Sequence, residues 1–336
     1  MRWRVRFTRI GLALSLLTLV AASPPQPAAE AVGPVAITVA DLRRSVAFYT
    51  NVLEFKEESE NEVASPQIDE LEGVRGLRLR IAHLALGDER IELMQYLAPK
   101  GRAFPADSRA NDRWFQHIAI VTSNMNAAYA RLRAYHVRNA STGPQRLPDW
   151  NKNAGGIRAF YFRDPDGHYL ELLHFPPDKG RAKWHTGKGR LFMGIDHTAI
   201  VVSNTGQSLR FYRDMLGMRI VGTSENYGKE QEHLNNVPGA HLRITSLRAQ
   251  DGPGIELLEY LSPRDGRPAP ANERANDLVH WQTTIICTNV DSEITLLAKA
   301  HVPLISGGVV GAPIADIAEG AVVSDPDGHA MELVQP

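Results

Sequence analysis

The stretch from Gly194 to Met218, GIDHTAIVVSNTGQSLRFYRDMLGM, predicts a buried strand followed at once by a short amphipathic helix. His197 begins the strand, and the run 198–202 behind it is β-branched at every position but one, as is typical of buried strands. Asn204 is a preferred helix N-cap residue, apolar side chains recur after it at helical spacing, and Gly217 supplies a left-handed stop.

This strand-to-helix pattern occurs four times in the chain. Each copy sets a first-strand residue seven positions before an Asp or Asn, in the pairs Pro34–Asp41, His117–Asn124, His197–Asn204 and Gln282–Asn289. Each copy also closes with an apolar strand that contains a glutamate, namely Glu92, Glu171, Glu256 and Glu332. DPDGH occurs at 164–168 and again at 325–329. Repetition over so long a period indicates duplicated domains and not a solenoid.

The repeat predicts an α+β fold in which four βαβββ modules pair into two domains with curved mixed sheets. We expect residues 32–176 to form the first domain and residues 194–336 the second, each from two successive modules. Residues 177–193 are basic and rich in Pro and Gly, which favours a linker or strap between the halves.

Residues 1–31 are typical of an export signal. The basic MRWRVRFTR precedes an apolar run, IGLALSLLTLVAA, that is short for a membrane span, and a small-residue exit suited to cleavage follows. We expect a bacterial periplasmic or secreted protein, with no stable membrane insertion after cleavage somewhere between Ala22 and Val32. An uncleaved membrane anchor is the alternative.

The composition excludes several other classes. A hydrophobic content of 43% and a charged content of 22% are those of a soluble globular protein. A net charge of −1 gives no electrostatic reason to expect nucleic acid or an acidic membrane surface as a partner. We expect a small-molecule substrate or ligand instead, and a homodimer is left open. The single cysteine, Cys287, lies in an apolar strand and is predicted to be a core residue.

These motifs resemble those of the vicinal oxygen chelate superfamily, which contains glyoxalase I, methylmalonyl-CoA epimerase, fosfomycin-resistance proteins and extradiol dioxygenases. The resemblance rests on the HTAIVVSN opening, the SLRFYRDMLGM helix and the two DPDGH turns followed by EL. It covers about residues 34–175 and 195–335, and it implies two tandem glyoxalase-like domains.

The resemblance also implies a divalent metal ion held by side chains of the first and last strands of paired modules. Carried over by position, the C-terminal half would supply His197, Glu256, Gln282 and Glu332. The N-terminal half would supply Glu92, His117 and Glu171, an incomplete set because Pro34 has no donor side chain. An unpaired carboxylate inside an apolar strand is costly, which supports a shared cation at Glu256 and Glu332. Zn, Ni, Co, Mn and Fe(II) all suit such donors. Glutamates facing water and a hydrogen-bonded core histidine at His117 are the alternatives.

The expected function is a glyoxalase- or epimerase-like proton transfer next to a carbonyl, with the metal as Lewis acid and Glu332 and Glu256 as catalytic carboxylates. Gln282 stands where extradiol dioxygenases have a second histidine, which counts against oxygen activation. The alternatives are a non-catalytic binding protein of the bleomycin-resistance type and a dioxygenase with an unusual iron site. His241 and Arg243 are candidates for contacting an anionic substrate.

Overall fold

A computed structural model of the chain describes residues 28–186, 189–314 and 317–336. Sixteen strands form two eight-stranded mixed sheets with helices packed against them, which confirms the α+β class. Most of the expected export signal lies outside the described residues. The last residues of the expected signal are described and form part of a strand, because Ala29 and Ala31 pair with strand residues near Cys287. The fold therefore begins before the expected boundary at residue 32.

The four modules follow one another along the chain. Module 1 contains β1 (Ala29–Thr38), α1 (Leu42–Leu53), β2 (Lys56–Val63), α2 (Pro66–Glu72), β3 (Arg78–Leu86) and β4 (Glu89–Ala98). Module 2 contains β5 (Gln116–Thr122), α3 (Met125–Ala134), β6 (Gln145–Arg146), β7 (Arg158–Arg163) and β8 (Tyr169–His174). Module 3 contains β9 (Phe192–Val202), α4 (Thr205–Leu209), a π-helical turn (Arg210–Met215), β10 (Arg219–Asn226), α5 (Lys229–Asn235), β11 (His241–Arg248) and β12 (Gly254–Ser262). Module 4 contains β13 (Trp281–Cys287), α6 (Val290–Lys299), β14 (Val310–Gly311), β15 (Glu319–Ser324) and β16 (Ala330–Gln335).

The repeated Asp or Asn of each module caps its first helix. Each side chain accepts a hydrogen bond from the backbone N–H three residues on, which satisfies one of the free donors of the first turn; the four caps are Asp41, Asn124, Asn204 and Asn289. Two further short helices, α2 and α5, lie between the second and third strands of modules 1 and 3. Both are only seven residues long, too short for apolar periodicity to reveal them.

The hydrogen-bonded sheets join modules across the two halves of the chain. One sheet has the order β14-β15-β16-β13-β1-β4-β3-β2 and combines modules 1 and 4. The other has the order β10-β11-β12-β9-β5-β8-β7-β6 and combines modules 2 and 3. The expectation that successive modules share a sheet is therefore corrected: β9 pairs antiparallel with β5, and β1 with β13.

The helical faces nevertheless pack within each half. One apolar core unites modules 1 and 2 and includes Tyr49 and Phe160, and another unites modules 3 and 4 and includes Tyr212 and Leu333. The DPDGH turns strengthen the same contacts. Asp166 accepts a hydrogen bond from the backbone of module 1 at 3.0 Å, as the turn of module 4 does from module 3 at 2.9 Å. Each half thus shares a core, while each sheet face opposite the helices is built from both halves.

Residues 175–186, which follow β8, form a strap in which Lys179 is bonded to Lys152 and Lys183 to Glu89. It contains a short 3-10 turn, Ala182–His185, in which Trp184 is buried. Phe192 and Met193, placed in the expected linker, belong to β9. Among the described residues, no helix has the length and apolar character needed to cross a membrane.

Candidate metal centre

Two histidines and two glutamates meet at the centre of the sheet built from modules 2 and 3. His117 lies on β5 and His197 on its antiparallel neighbour β9. The parallel outer neighbours, β8 and β12, contribute Glu171 and Glu256. Four adjacent strands therefore present one donor each on the same face.

The donor atoms of this cluster are close together. His117 Nε2 lies 3.2 Å from Glu171 Oε2, and the same oxygen is 3.7 Å from His197 Nε2. His197 Nε2 is also 3.4 Å from Glu256 Oε2. Ligand atoms of His117, Glu171 and His197 all lie within 4.8 Å of one another, and the three residues are buried.

The expected ligand set is corrected by this arrangement. Of the four residues expected on one ion, His197 and Glu256 are in the cluster, whereas Gln282 and Glu332 lie in the other sheet. The physical reason is the strand pairing, because the neighbour of β9 is β5 and not β13. His117 and Glu171, placed in the expected second site, complete the cluster instead, while Glu92 lies on β4 of the other sheet.

A β-bulge orients His197. Ala119 pairs with His197 and the next residue of β5 pairs with Ile195, so that Asp196 is the extra residue of β9. This irregularity lets two successive side chains meet: Asp196 Oδ2 lies 3.1 Å from His197 Nδ1. A carboxylate that accepts from one ring nitrogen of a histidine fixes the tautomer that leaves the other nitrogen free for a metal.

Asp196 is held in turn by two donors. Trp184 Nε1 of the strap donates to its Oδ1 at 2.7 Å, and Arg248 Nη2 donates to the same atom at 3.0 Å. Burial opposes ionisation of Asp196, but its bonded partners prevail and hold its pKa well below the usual range. Burial likewise opposes protonation of His197, yet the carboxylates of Glu256 and Asp196 outweigh it and raise its pKa to about 9.

These residues fit a divalent metal ion. His197 Nε2 is buried and has no hydrogen-bond partner among the described residues, although its other nitrogen is bonded. Ser246 Oγ donates to Glu256 Oε1 at 2.6 Å, which leaves Oε2 turned towards His197. A cation would stabilise a site in which carboxylates lie beside an imidazole nitrogen that lacks a hydrogen-bond partner. Imidazole and carboxylate ligands suit Zn, Ni, Co, Mn and Fe(II).

A cavity of about 400 Å³ opens over the cluster. Its walls are mainly apolar and include Leu147, Ile157, Leu173, Phe175, Leu234 and Leu258. Strap residues Lys179 and Arg181 also line it, as does Arg248. A cavity of this size and character accommodates a small organic molecule.

The two expected substrate contacts lie away from this cavity. His241 is 3.2 Å from Glu225, and Arg243 is 3.1 Å from Glu259 and borders none of the cavity wall. The alternation of β11 instead turns Ser246 and Arg248 towards the cluster.

The corresponding region of the other sheet is an acidic cluster, and its two first strands, β1 and β13, carry no histidine in their described residues. Glu332 is buried and accepts a hydrogen bond from Thr284 Oγ1 at 3.2 Å. Burial, with Glu92 and Glu72 nearby, raises the pKa of Glu332 to about 8. Glu72, contributed by α2, is itself buried and bonded to Tyr96 at 2.7 Å. In the absence of a cation, burial and its like-charged neighbours thus favour the protonated form of Glu332, the direction in which its pKa is raised. The stronger candidate for a metal site is the other sheet, where two first strands each supply a histidine.

Comparison with known proteins agrees with this architecture. The chain is 34% identical over 161 residues to a 2-epi-5-epi-valiolone epimerase from an Actinomyces species, covering 45% of this chain and 82% of that protein. It is 28% identical over 114 residues to glyoxalase I of Saccharomyces cerevisiae, covering 34% of this chain but only 31% of the yeast protein. The crystal structure of glyoxalase I from Zea mays superposes with a TM-score of 0.58 at 18% identity, over 91% of this chain and 92% of that one, a likeness of fold.

The family model of the Glyoxalase/Bleomycin resistance protein/Dioxygenase superfamily matches residues 31–172 and 194–333. These two ranges span all four modules except for a few terminal strand residues, and they contain every residue of the His and Glu cluster. The chain therefore belongs to this superfamily.

Proposed function

We propose that this protein is a metal-dependent isomerase that moves a proton at a carbon next to a carbonyl group. The observation that carries the proposal is the cluster of two imidazoles and two carboxylates beneath an apolar cavity. Relatives named as an epimerase and as glyoxalase I support the same class of chemistry.

His117, Glu171, His197 and Glu256 would hold the ion. When bound, a divalent ion would polarise the substrate carbonyl and stabilise the negative charge that develops on its oxygen during proton removal. The protein must supply a base that accepts the proton from carbon and returns it. In this site the candidates are Glu171 and Glu256, in place of the pair Glu332 and Glu256.

The surroundings of the two carboxylates differ, which suggests different roles. Ser246 Oγ donates to Glu256 Oε1 at 2.6 Å and thereby holds this carboxylate in a fixed position. Glu171 is buried beside His117 and, among the contacts of the described chain, receives no hydroxyl donor. We therefore assign Glu171 as the base that moves the proton and Glu256 as the anchored partner.

Extradiol oxygen chemistry is the second candidate. The objection that Gln282 replaces a histidine no longer applies, because the cluster contains two histidines and a glutamate in mutual contact. Two histidines and one carboxylate are the donors of non-haem Fe(II) oxygenases. Glu256 lies 3.4 Å from His197 Nε2 and, as a fourth donor, would occupy a position that oxygen activation requires to be open, which favours proton transfer.

Proton exchange provides the test. The protein, loaded in turn with Zn, Ni, Co, Mn or Fe(II), is incubated in D₂O with 2-oxoaldehydes, 2-hydroxy thioesters, branched acyl thioesters and cyclic hydroxy ketones, and the α-proton is followed by NMR. We expect exchange in at least one class, reduced about 10²–10⁴-fold by Glu171→Gln. Glu332→Gln is the matched control and should exchange like the wild type. Oxygen uptake with catechols by the Fe(II) form, and no exchange in any class, would establish the dioxygenase alternative; tight aromatic binding without either reaction would establish the binding-protein alternative.

Export remains a proposal as well. Because Ala29 is paired in β1, a signal peptidase site compatible with the fold lies before it. N-terminal sequencing of protein from a periplasmic extract should find a first residue between Ala22 and Ala29. Intact Met1 on protein from the soluble cytoplasmic fraction would refute export.

A further inference from the structure

The cavity above the cluster has a cationic side that the proposed chemistry does not use. Two strap residues, Lys179 and Arg181, line it there. Lys179 Nζ donates to the backbone oxygen of Lys152 at 2.7 Å. Its neighbouring carboxylate, Asp178, is 3.5 Å away and 74% exposed, so that solvent screens this pair strongly.

The charge of Arg181 is offset even less than that of Lys179. It makes one long contact, 3.5 Å from Nη1 to the backbone oxygen of Gly252, and in the described part of the chain no carboxylate forms an ion pair with it. Arg248 is different, because its guanidinium is bonded to Asp196. Its Nη1 has no hydrogen-bond partner among the described residues, but its charge is offset by the buried Asp196. The strap cations are the cavity cations whose charge no buried carboxylate offsets.

The charges that line the cavity support the same conclusion. The acidic groups of the wall are Glu171, Glu256 and Asp196. Asp196 is offset by Arg248, and a divalent ion would offset the two glutamates. This step rests on the proposed function. The two strap cations then remain as net positive charge at the rim of the cavity, where Lys179 is half-buried and Arg181 is exposed, and they attract an anion towards the cavity.

We infer that the substrate carries an anionic group, a carboxylate or a phosphate, that binds Lys179 and Arg181. The same molecule places its carbonyl oxygens over the histidine and glutamate cluster. Because the intervening wall is formed by side chains such as Phe175 and Leu173, the part between the two ends is apolar. The substrate class is thus a small amphipathic acid with an oxygenated carbonyl at one end and an anion at the other.

Hydroxamates, which chelate divalent metals, test this inference without knowledge of the substrate. Binding to the Zn-loaded protein is measured by calorimetry for benzohydroxamate derivatives with a para carboxamide, carboxylate or phosphonate, and for homologues with one or two added methylenes. We expect the best carboxylate or phosphonate to bind about tenfold more tightly than its matched carboxamide, with an advantage that declines as salt is added. A larger advantage for the phosphonate would identify phosphate as the natural group, and a larger one for the carboxylate would identify a carboxylic acid.

The double variant Lys179→Gln/Arg181→Gln should abolish that advantage and leave carboxamide binding unchanged. The matched control is Arg78→Gln/Arg80→Gln, which removes the same charge from the other sheet, where both arginines pair with glutamates of β2. Equal affinities for the charged and neutral probes in the wild type, or an advantage that survives in the double variant, would overturn the anion site alone. If no hydroxamate binds the wild type, the proposed metal site is wrong. The anion site is then refuted as well, because its charge balance assumes a bound divalent ion.

Discussion

Replacing Glu332 by Gln should stabilise the protein at alkaline pH and leave metal binding and turnover intact. The side chain is 6% exposed, and burial, Glu92 and Glu72 raise its pKa to about 8 from an ordinary 4.5. For a group whose pKa is raised by folding, the stabilisation is fully present below the unfolded pKa and is lost as pH rises through the folded one. The loss amounts to about 1.4 kcal/mol per pH unit for one proton.

Between about pH 5 and about pH 8, the wild type should therefore lose at most about 4 kcal/mol of unfolding free energy through this group. Glutamine keeps the volume and one donor of the protonated acid but does not titrate, so the variant should not share that loss. Urea unfolding of both proteins across this pH range measures the difference directly.

The control is Glu57→Gln, an exposed glutamate on β2 of the same sheet, whose replacement should leave the pH dependence unchanged. A constant difference between wild type and Glu332→Gln at every pH would contradict the raised pKa. A loss of bound metal or of proton exchange in Glu332→Gln would contradict the assignment of the reaction to the other sheet.

Three further outcomes follow from the metal centre. His117→Ala and His197→Ala should each reduce bound metal, measured by elemental analysis after mild chelation, whereas Gln282→Ala should retain one equivalent per chain; equal retention by all three would exclude the cluster. Metal affinity should rise with pH up to about 9, because His197 must release its proton before it binds; calorimetry in two buffers would detect that released proton, and a flat profile would contradict it. Trp184→Phe, which removes a hydrogen bond from the strap, should weaken metal affinity about 10–100-fold without changing the circular dichroism spectrum, and unchanged affinity would rule out a positioning role.

The modules were predictable from the sequence because local physics specifies them. An Asp or Asn seven residues after a strand residue caps a helix wherever it occurs, and the structure contains all four caps. The pairing of modules was not predictable in the same way. The connections 99–115, 175–191 and 263–280 are almost equal in length, so none of them favours pairing within a half over pairing across halves.

The site was predictable in its residue types and not in its grouping. His197 and Glu256 were expected together because the resemblance assigns the first and last strands of one half of the chain to one metal ion, and the structure brings them together on neighbouring strands. His117 and Glu171 were expected elsewhere because only strand pairing, a long-range property, brings them to the same face. Asp196 was missed for a local reason: strict alternation places neighbours of a strand on opposite faces, and the bulge in β9 breaks that alternation.

The residues at the corresponding bulges of β9 and β1 account for the difference between the two sheets. Strand β1 also has an irregularity, between Val32 and Val35, and the residues inside it are Gly33 and Pro34, where β9 has Asp196 and His197. Pro34 offers no ligand atom. A side chain at Gly33 would begin only 3.1 Å from Thr284, which leaves little room for a carboxylate that could orient a histidine.

Each sheet needs one module from each half of the chain, so the molecule has the connectivity of a dimer of two-module halves fused end to end. In a symmetric dimer of that kind both sheets would be chemically equal, because each would combine the same two modules. In the fused chain the two copies of the bulge can differ. One keeps an aspartate that fixes a histidine beside two glutamates, and the other keeps a proline in a region that contains the buried Glu72 and Glu332. Each half of the chain buries a core that is shared by its two modules, and these two modules belong to different sheets. The sheet of modules 1 and 4 therefore supports the sheet of modules 2 and 3 through packing, even without a metal ion of its own.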